Sequence, residues 1–235
     1  LSETRTPQGS FLGGLSKIPA TKLGGIAIRG SVEKSGLSNE LIDEVFVGNV
    51  LSCDLGQNPA KQCSIQGGLP ASTPCTLVNK VCCSSMKALI LATQLIKSNE
   101  INTAVVAGTE NMSLSPRILE NTRSIKKMGD AHFEQPFDAK DDMIVDGLWD
   151  SFNNMHMGAL ADRLANKFQI SRSEQDRYSI QSFQRAKTAW ENGHVKVIQV
   201  ENVTEDEVMK KLVVEKVPTL KPCFDSNGTI TAASS

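Results

Sequence analysis

The chain has 235 residues, 40% of them hydrophobic and 22% charged, the make-up of a globular protein with ample apolar material for a core. Its 25 basic and 26 acidic side chains leave a formal net charge of −1, which gives no electrostatic reason to expect nucleic acid or an anionic membrane as partner. No apolar run approaches the roughly 20 residues of a membrane-spanning helix, and six cysteines without a CxxC pair predict neither a disulfide framework nor a zinc site. A reducing compartment, cytosol or mitochondrial matrix, fits this cysteine usage. The first residue is Leu1, so any leader peptide would lie ahead of it.

In chain order, the spacing of Leu23, Ile26, Ala27 and Val32 predicts a helix over 21–35, stopped by Gly36. The run EVFVGNVL over 44–51 predicts a strand, and the turn Gly56-Gln57-Asn58-Pro59 opens a short helix that ends at Gly67-Gly68. Residues 75–78 predict a strand, 79–81 a turn, about 82–98 a helix, and 101–108 a nearly continuous apolar strand. That is the spacing of a βαβ unit on a buried parallel sheet. The helix is apolar almost all round, through Met86, Ala88, Leu89, Ile90, Leu91, Ala92, Leu95 and Ile96, which predicts cover on more than one side. From about Ser113 to Pro222 the character changes to a charged, loop-like stretch over 117–142 and then helices over 157–168 and 172–192. The second of these opens with the capping box Ser171-Arg172-Ser173-Glu174 and carries an expected inner face of Ile180, Phe183, Ala186 and Trp190. The organisation expected is a core over 1–112, a mainly helical excursion over 113–228, and a return toward the core over 229–235.

Cys82 and Cys83 fall where the strand becomes the helix. A cysteine there sits near unpaired backbone N–H groups and the positive end of the helix dipole, which favour a thiolate and can donate to an oxyanion. The residues alone leave two readings open: small side chains packed at a strand-to-helix junction, or a nucleophile.

The stretch Asn79-Lys80-Val81-Cys82-Cys83-Ser84-Ser85-Met86-Lys87-Ala88 resembles the thiolase active-site motif N-x-x-C-[AG]-S-G-[ML]-[KR]-A, with Cys82 on the nucleophile. The likeness continues in family order through Arg5-Thr6-Pro7, Gly48-Asn49-Val50-Leu51, Gly56-Gln57-Asn58-Pro59 and Val106-Ala107-Gly108-Thr109-Glu110-Asn111-Met112-Ser113. It reaches Asp146-Gly147-Leu148, His156-Met157-Gly158, Leu220-Lys221-Pro222 with Phe224, and Gly228-Thr229-Ile230-Thr231-Ala232. The resemblance implies an α/β chain, the amino-terminal half of a layered αβαβα fold with an inserted, mainly helical loop domain. Three features depart from the family pattern. Cys83 replaces Ala or Gly, Ser85 replaces Gly, and the stretch between Val200 and Asp206 is short.

The activity implied is that of a biosynthetic thiolase, a reversible Claisen condensation of two acetyl-CoA to acetoacetyl-CoA through an acyl-cysteine on Cys82. Leu148, His156, Met157, Phe224 and Ala232 match positions that line the pantetheine and acyl tunnel, and Lys210 matches a basic residue facing the CoA nucleotide. Coenzyme A is then part of the substrate, and neither a metal nor a separate cofactor is called for. The family's N-E-x-F, G-H-P and C-x-G motifs, which supply the remaining catalytic groups, do not occur in this sequence. The expectation is therefore an amino-terminal half, inactive alone. It also implies a homodimer or a tetramer built from dimers, and a mitochondrial matrix location with the cytoplasm as alternative; Phe152 stands where the potassium-responsive mitochondrial form has a tyrosine. Two alternatives stay open: a non-catalytic thiolase-like subunit, and a ketoacyl-synthase-like enzyme in which Cys83-Ser84-Ser85 supplies the nucleophile.

Overall fold

A computed structural model describes residues 2–132, 137–210 and 213–235, with the side chain of Lys210 excepted. The described chain parts into two compact units: Leu1–Ser2 with Lys17–Gly147, and Glu3–Ser16 with Leu148–Ser235.

The first unit is built on a parallel three-stranded sheet. Helix α1 spans Ala20–Ser35, strand β1 Glu44–Gly48, helix α2 Pro59–Gln66, strand β2 Cys75–Val78, helix α3 Ser84–Lys97 and strand β3 Ala104–Gly108. The strand order is β2-β1-β3, with β1 paired in parallel on both sides. A central strand in a parallel sheet is covered on both faces, and β1 is apolar on both. Val45 and Val47 pack with Ile28, Val32, Ala60 and Cys63 of α1 and α2, while Phe46 packs with Val78, Ala88 and Ala92 on the side of α3. The unit is thus layered helix, sheet, helix.

The sequence boundaries hold closely for α1, α2 and β2. Gly36 ends α1 in the left-handed conformation, and Pro59 begins α2 with Asn58 capping the Lys61 N–H. Two expectations change. The strand expected over 44–51 stops at Gly48, because the amides of Val50 and Leu51 turn to the carboxylate of Glu110. Helix α3 presents only one face to the core, through Ser84, Ala88 and Ala92; Met86, Leu89, Ile90 and Ile96 are exposed among the described residues. After β3 come the short antiparallel strands β4 (Arg117–Leu119) and β5 (Ala139–Asp141), followed by one turn of π-helix over Met143–Leu148. Ser115 donates to buried Asp142 at 2.7 Å, a contact within the first unit.

The second unit holds the small antiparallel pair β6 (Trp149–Asp150) and β7 (Met155–His156), helix α4 (Met157–Lys167) and helix α5 (Arg172–Glu191). The capping box at Ser171 and Glu174 forms as expected. The inner face of α5 is more polar than the sequence predicts: Asp176 and Ser179 are buried and Ala186 is exposed. The reason is Arg172, which pairs with Asp176 and donates to the carbonyls of Val217 and Leu220. The opening residues join this unit because Arg5 donates through both terminal nitrogens to Asp206, at 2.7 and 2.8 Å.

Candidate active site

The elbow between β2 and α3 is held by a short-range network. Asn79 accepts from the Val81 N–H at 3.0 Å, Ser84 Oγ accepts from the Lys80 N–H at 2.9 Å, and that hydroxyl donates to the Val81 carbonyl at 2.6 Å. The Cys83 N–H donates to the Lys80 carbonyl at 3.1 Å. These bonds fold 79–84 into a tight turn in which Val81 has φ 49°, the left-handed region that β-branched residues avoid. Strain of this kind persists only where the surroundings impose it.

The same turn delays the helix. Sequence spacing starts it near Cys82; the structure starts it at Ser84, with Cys83 as N-cap and Cys82 one residue earlier. Cys82 lies at the carboxyl edge of the parallel sheet, where ligands of open α/β sheets bind. The N–H groups of Ser85 and Met86 open the helix, and such first-turn donors have no intrahelical acceptor. Both Cys82 and Cys83 are exposed, and Cys83 makes no side-chain cap.

The departure at Ser85 has a structural setting. A Cβ on Gly108 would stand 1.9 Å from Ser85 Oγ, and one on Gly48 would stand 2.5 Å from the Ser85 nitrogen. The start of α3 therefore presses onto two strand ends that tolerate it only as glycine. Glu110 braces the neighbouring loop. It accepts from Asn49 Nδ2 at 2.8 Å and from the Val50 N–H at 2.9 Å, and burial pushes its carboxyl up despite these bonds. Thr109 and Asn111 donate to the carbonyls of Ala20 and Ile18. The motif over 106–113 thus acts as a clasp joining strand ends and loops, a role its sequence does not advertise.

The remaining sequence-predicted residues all lie in the second unit. His156 is the N-cap of α4: its Nδ1 accepts from the Gly158 N–H at 3.0 Å, so the ring's own proton sits on Nε2 when it is neutral. The imidazole stacks on half-buried Phe224 with ring centroids 4.7 Å apart. A Cβ on Gly158 would strike that phenyl ring at 2.2 Å, so the glycine is what lets Phe224 lie across the helix start. Met157 is exposed beside them, Leu148 is half-buried at the end of the π-helical turn, and Ala232 is exposed. The structure thus brings His156, Met157 and Phe224 together. Lys210 ends a 3-10 turn, and its side chain lies outside the described residues. A shallow groove on α5, lined by Asp176, Arg177, Ile180 and Pro218 among others, contains none of these residues.

Sequence reasoning missed Asp162. From α4 its Oδ1 accepts from the N–H groups of Thr229 and Ile230, at 2.6 and 3.0 Å, and a Cβ on Gly228 would collide with the carboxylate. It fixes the segment that carries Ala232. The only signal was an aspartate on a helix whose neighbours predict no partner for it. Among the described residues no group of three or more His, Cys, Asp or Glu side chains is placed to hold a metal ion, and no helix is long and apolar enough to cross a membrane.

The family described as Thiolase, N-terminal domain, matches residues 1–235. The chain is 44% identical to the human protein named acetyl-CoA acetyltransferase, mitochondrial, over 100% of its own length and 56% of that protein's. It is 42% identical to acetyl-CoA acetyltransferase ERG10, cytosolic, of Gibberella zeae, over 99% of this chain and 60% of that one. Among solved structures, the Acat5 thiolase of Ascaris suum, crystallised in complex with coenzyme A, superposes with a TM-score of 0.88 at 38% identity. The match covers 98% of this chain and 60% of that one, so the chain spans less than two thirds of the relatives it resembles.

Proposed function

The chain belongs to the thiolase family, matching its amino-terminal domain, and from that premise we propose that it supplies the acyl-accepting half of an acetyl-CoA acetyltransferase. The observation that carries this reading is the exposed thiol of Cys82, on a strained elbow at the carboxyl edge of a parallel sheet, one residue before a helix N-cap.

In this reading the Cys82 thiolate attacks the carbonyl carbon of acetyl-CoA, a carbon–sulfur bond forms, and coenzyme A leaves as its thiolate. Donors of the α3 first turn are the natural partners for the oxyanion, since they need no reorganisation as charge develops. The acyl-enzyme then meets the α-carbon of a second acetyl-CoA, and acetoacetyl-CoA departs as Cys82 is regenerated. The groups that move the α-proton belong to sequence motifs this chain does not contain, so turnover requires further polypeptide. The apolar residues Met86, Leu89, Ile90 and Ile96, exposed on α3, are suited to packing against it.

His156, Met157, Phe224, Leu148 and Ala232 would offer pantetheine a mostly apolar surface, with Lys210 toward the nucleotide. No metal or separate cofactor enters this chemistry, because the thioester already carries its leaving group. The whole protein is proposed as a homodimer or a tetramer of dimers in the mitochondrial matrix; the named relatives include both mitochondrial and cytosolic proteins.

One observation favours a second reading. Cys83 is the N-cap itself and stands closer in sequence to the helix amides than Cys82 does, as a ketoacyl-synthase-like use of Cys83-Ser84-Ser85 would require. Treatment with radiolabelled acetyl-CoA, followed by peptide mapping, separates the two. Label on Cys82 is expected, and Cys82→Ala should lower acyl transfer in the whole protein by on the order of 10⁴-fold or more. Label on Cys83 alone would transfer the role to its neighbour.

A further inference from the structure

Cys83 stands where the family motif has a residue without a reactive side chain, and the acyl-transfer reading gives it nothing to do. It lies next to Cys82, both are exposed, and neither sulfur takes part in a hydrogen bond among the described residues. Two unengaged thiols one peptide apart are unlike the other cysteines of the first unit. Cys63 is buried under Gly24, and burial pushes its thiol up to about 12, which leaves it inert. Cys53 is the nearer competitor in exposure, but burial and the charges of Asp142, Asp54 and Asp146 raise its thiol and so lower its thiolate fraction.

We propose that the Cys82–Cys83 pair is a reversible oxidation site, in which Cys83 resolves peroxide damage at Cys82 by closing a vicinal disulfide. The balance is simple. The Cys82 thiolate attacks one oxygen of hydrogen peroxide, the O–O bond breaks, and a sulfenic acid and hydroxide result. The Cys83 sulfur then displaces the sulfenic oxygen, which leaves as water, and an S–S bond forms. Two thiols and one peroxide become one disulfide and two waters; a small dithiol reverses the change by exchange.

Proximity favours closure, because neighbours in sequence need no chain closure to meet. Geometry keeps it labile. Adjacent Cα atoms stand about 3.8 Å apart, whereas an unstrained disulfide prefers roughly 4.4–6.8 Å, and strained bridges are the more easily reduced. The product is thus suited to shielding the nucleophile from irreversible oxidation and to rapid release.

This inference rests on Cys82 being the reactive thiol, and the test separates the two ideas. The chain is exposed to hydrogen peroxide, its remaining thiols are blocked with iodoacetamide, and the peptide bearing Cys82 and Cys83 is weighed. The expected product has lost two hydrogens, takes no alkyl group, and becomes doubly alkylable after dithiothreitol. In Cys83→Ala the same treatment should drive Cys82 to the sulfinic acid, which dithiothreitol does not reverse. A sulfinic Cys82 beside an alkylable Cys83 in the unsubstituted chain would overturn the proposal, as would a bridge from Cys82 to any other cysteine. Ready alkylation of Cys82 before peroxide, without a vicinal bridge afterwards, defeats this inference and leaves the acyl-cysteine reading intact. An unreactive Cys82 in the untreated chain removes both.

Discussion

The two compact units are held by different means. The first is an apolar sandwich: Ile28, Val32, Val45, Val47 and Phe46 are buried, and glycines allow close approach. The second has few buried apolar side chains, Leu15, Ala165, Val200, Val217 and Ile230 among them. It is stitched by carboxylates reaching donors far away in sequence: Asp162 to the backbone amides of Thr229 and Ile230, Asp206 to the Gln8 amide and the Arg5 guanidinium, Glu207 to the amides of Ser10 and Gly14. The helix starts repeat the contrast. Helix α4 commits the side chain of its N-cap, His156, to the Gly158 amide, whereas α3 leaves the thiol of Cys83 unengaged and relies on Ser84 one residue later. A cap that is not used for structure is available for chemistry.

The contrast can be tested by removing one tie from each unit. Asp162→Ala strands two backbone donors in a half-buried position and should destabilise the second unit by about 3 kcal/mol. Hydrogen exchange read by mass spectrometry should show faster exchange over α4 and 228–232 while the sheet of the first unit keeps its protection; equal loosening of both would erase the distinction.

A smaller effect is expected from overpacking the first unit. Gly108→Ala drives a methyl group into Ser85 Oγ and should cost about 2 kcal/mol. Adding Ser85→Gly should recover much of that, and a denaturation-derived double-mutant cycle measures the coupling. Simple additivity would mean that the two positions do not press on each other.

The smallest effect concerns acid. Asp206 is opposed by burial, but hydrogen bonds from Arg5, Gln8 and Trp190 and the Arg5 charge hold its carboxyl below the usual 3.8. The unfolded chain therefore binds the proton more readily, and stability rises with pH in this range. The contribution is complete above about 3.8 and is lost as pH falls through the lower folded value. Tryptophan fluorescence, which reads Trp190 beside Asp206, should lose its acid-dependent phase in Asp206→Asn.

This division also explains what could be read in advance. Strand β2, helix α1 and the capping box at Ser171 follow from periodicity and local stop signals, which act over a few residues. The thiolase-like order of motifs singled out Cys82 and the stretch around His156 as candidates, and those motifs are likewise runs of a few neighbouring residues. The end of β1 and the delayed start of α3 were not legible, because they depend on Glu110 meeting Val50 and Leu51 and on Ser84 gripping the turn below it. The carboxylate stitches were least visible: Asp162 bonds to a partner 67 positions away, and nothing near it in sequence announces the pairing. Helix α3 is a milder case, since its apolar composition asks for cover that the described residues give on one side alone.

Cys63 has a practical consequence. Its sulfur touches the place where a side chain on Gly24 would be, so it is reached by reagents only if α1 and α2 separate. A pulse of alkylating agent would then count opening events at that residue while the exposed elbow cysteines react at once, and one spectrum would report both the accessibility of the elbow thiols and breathing of the fold.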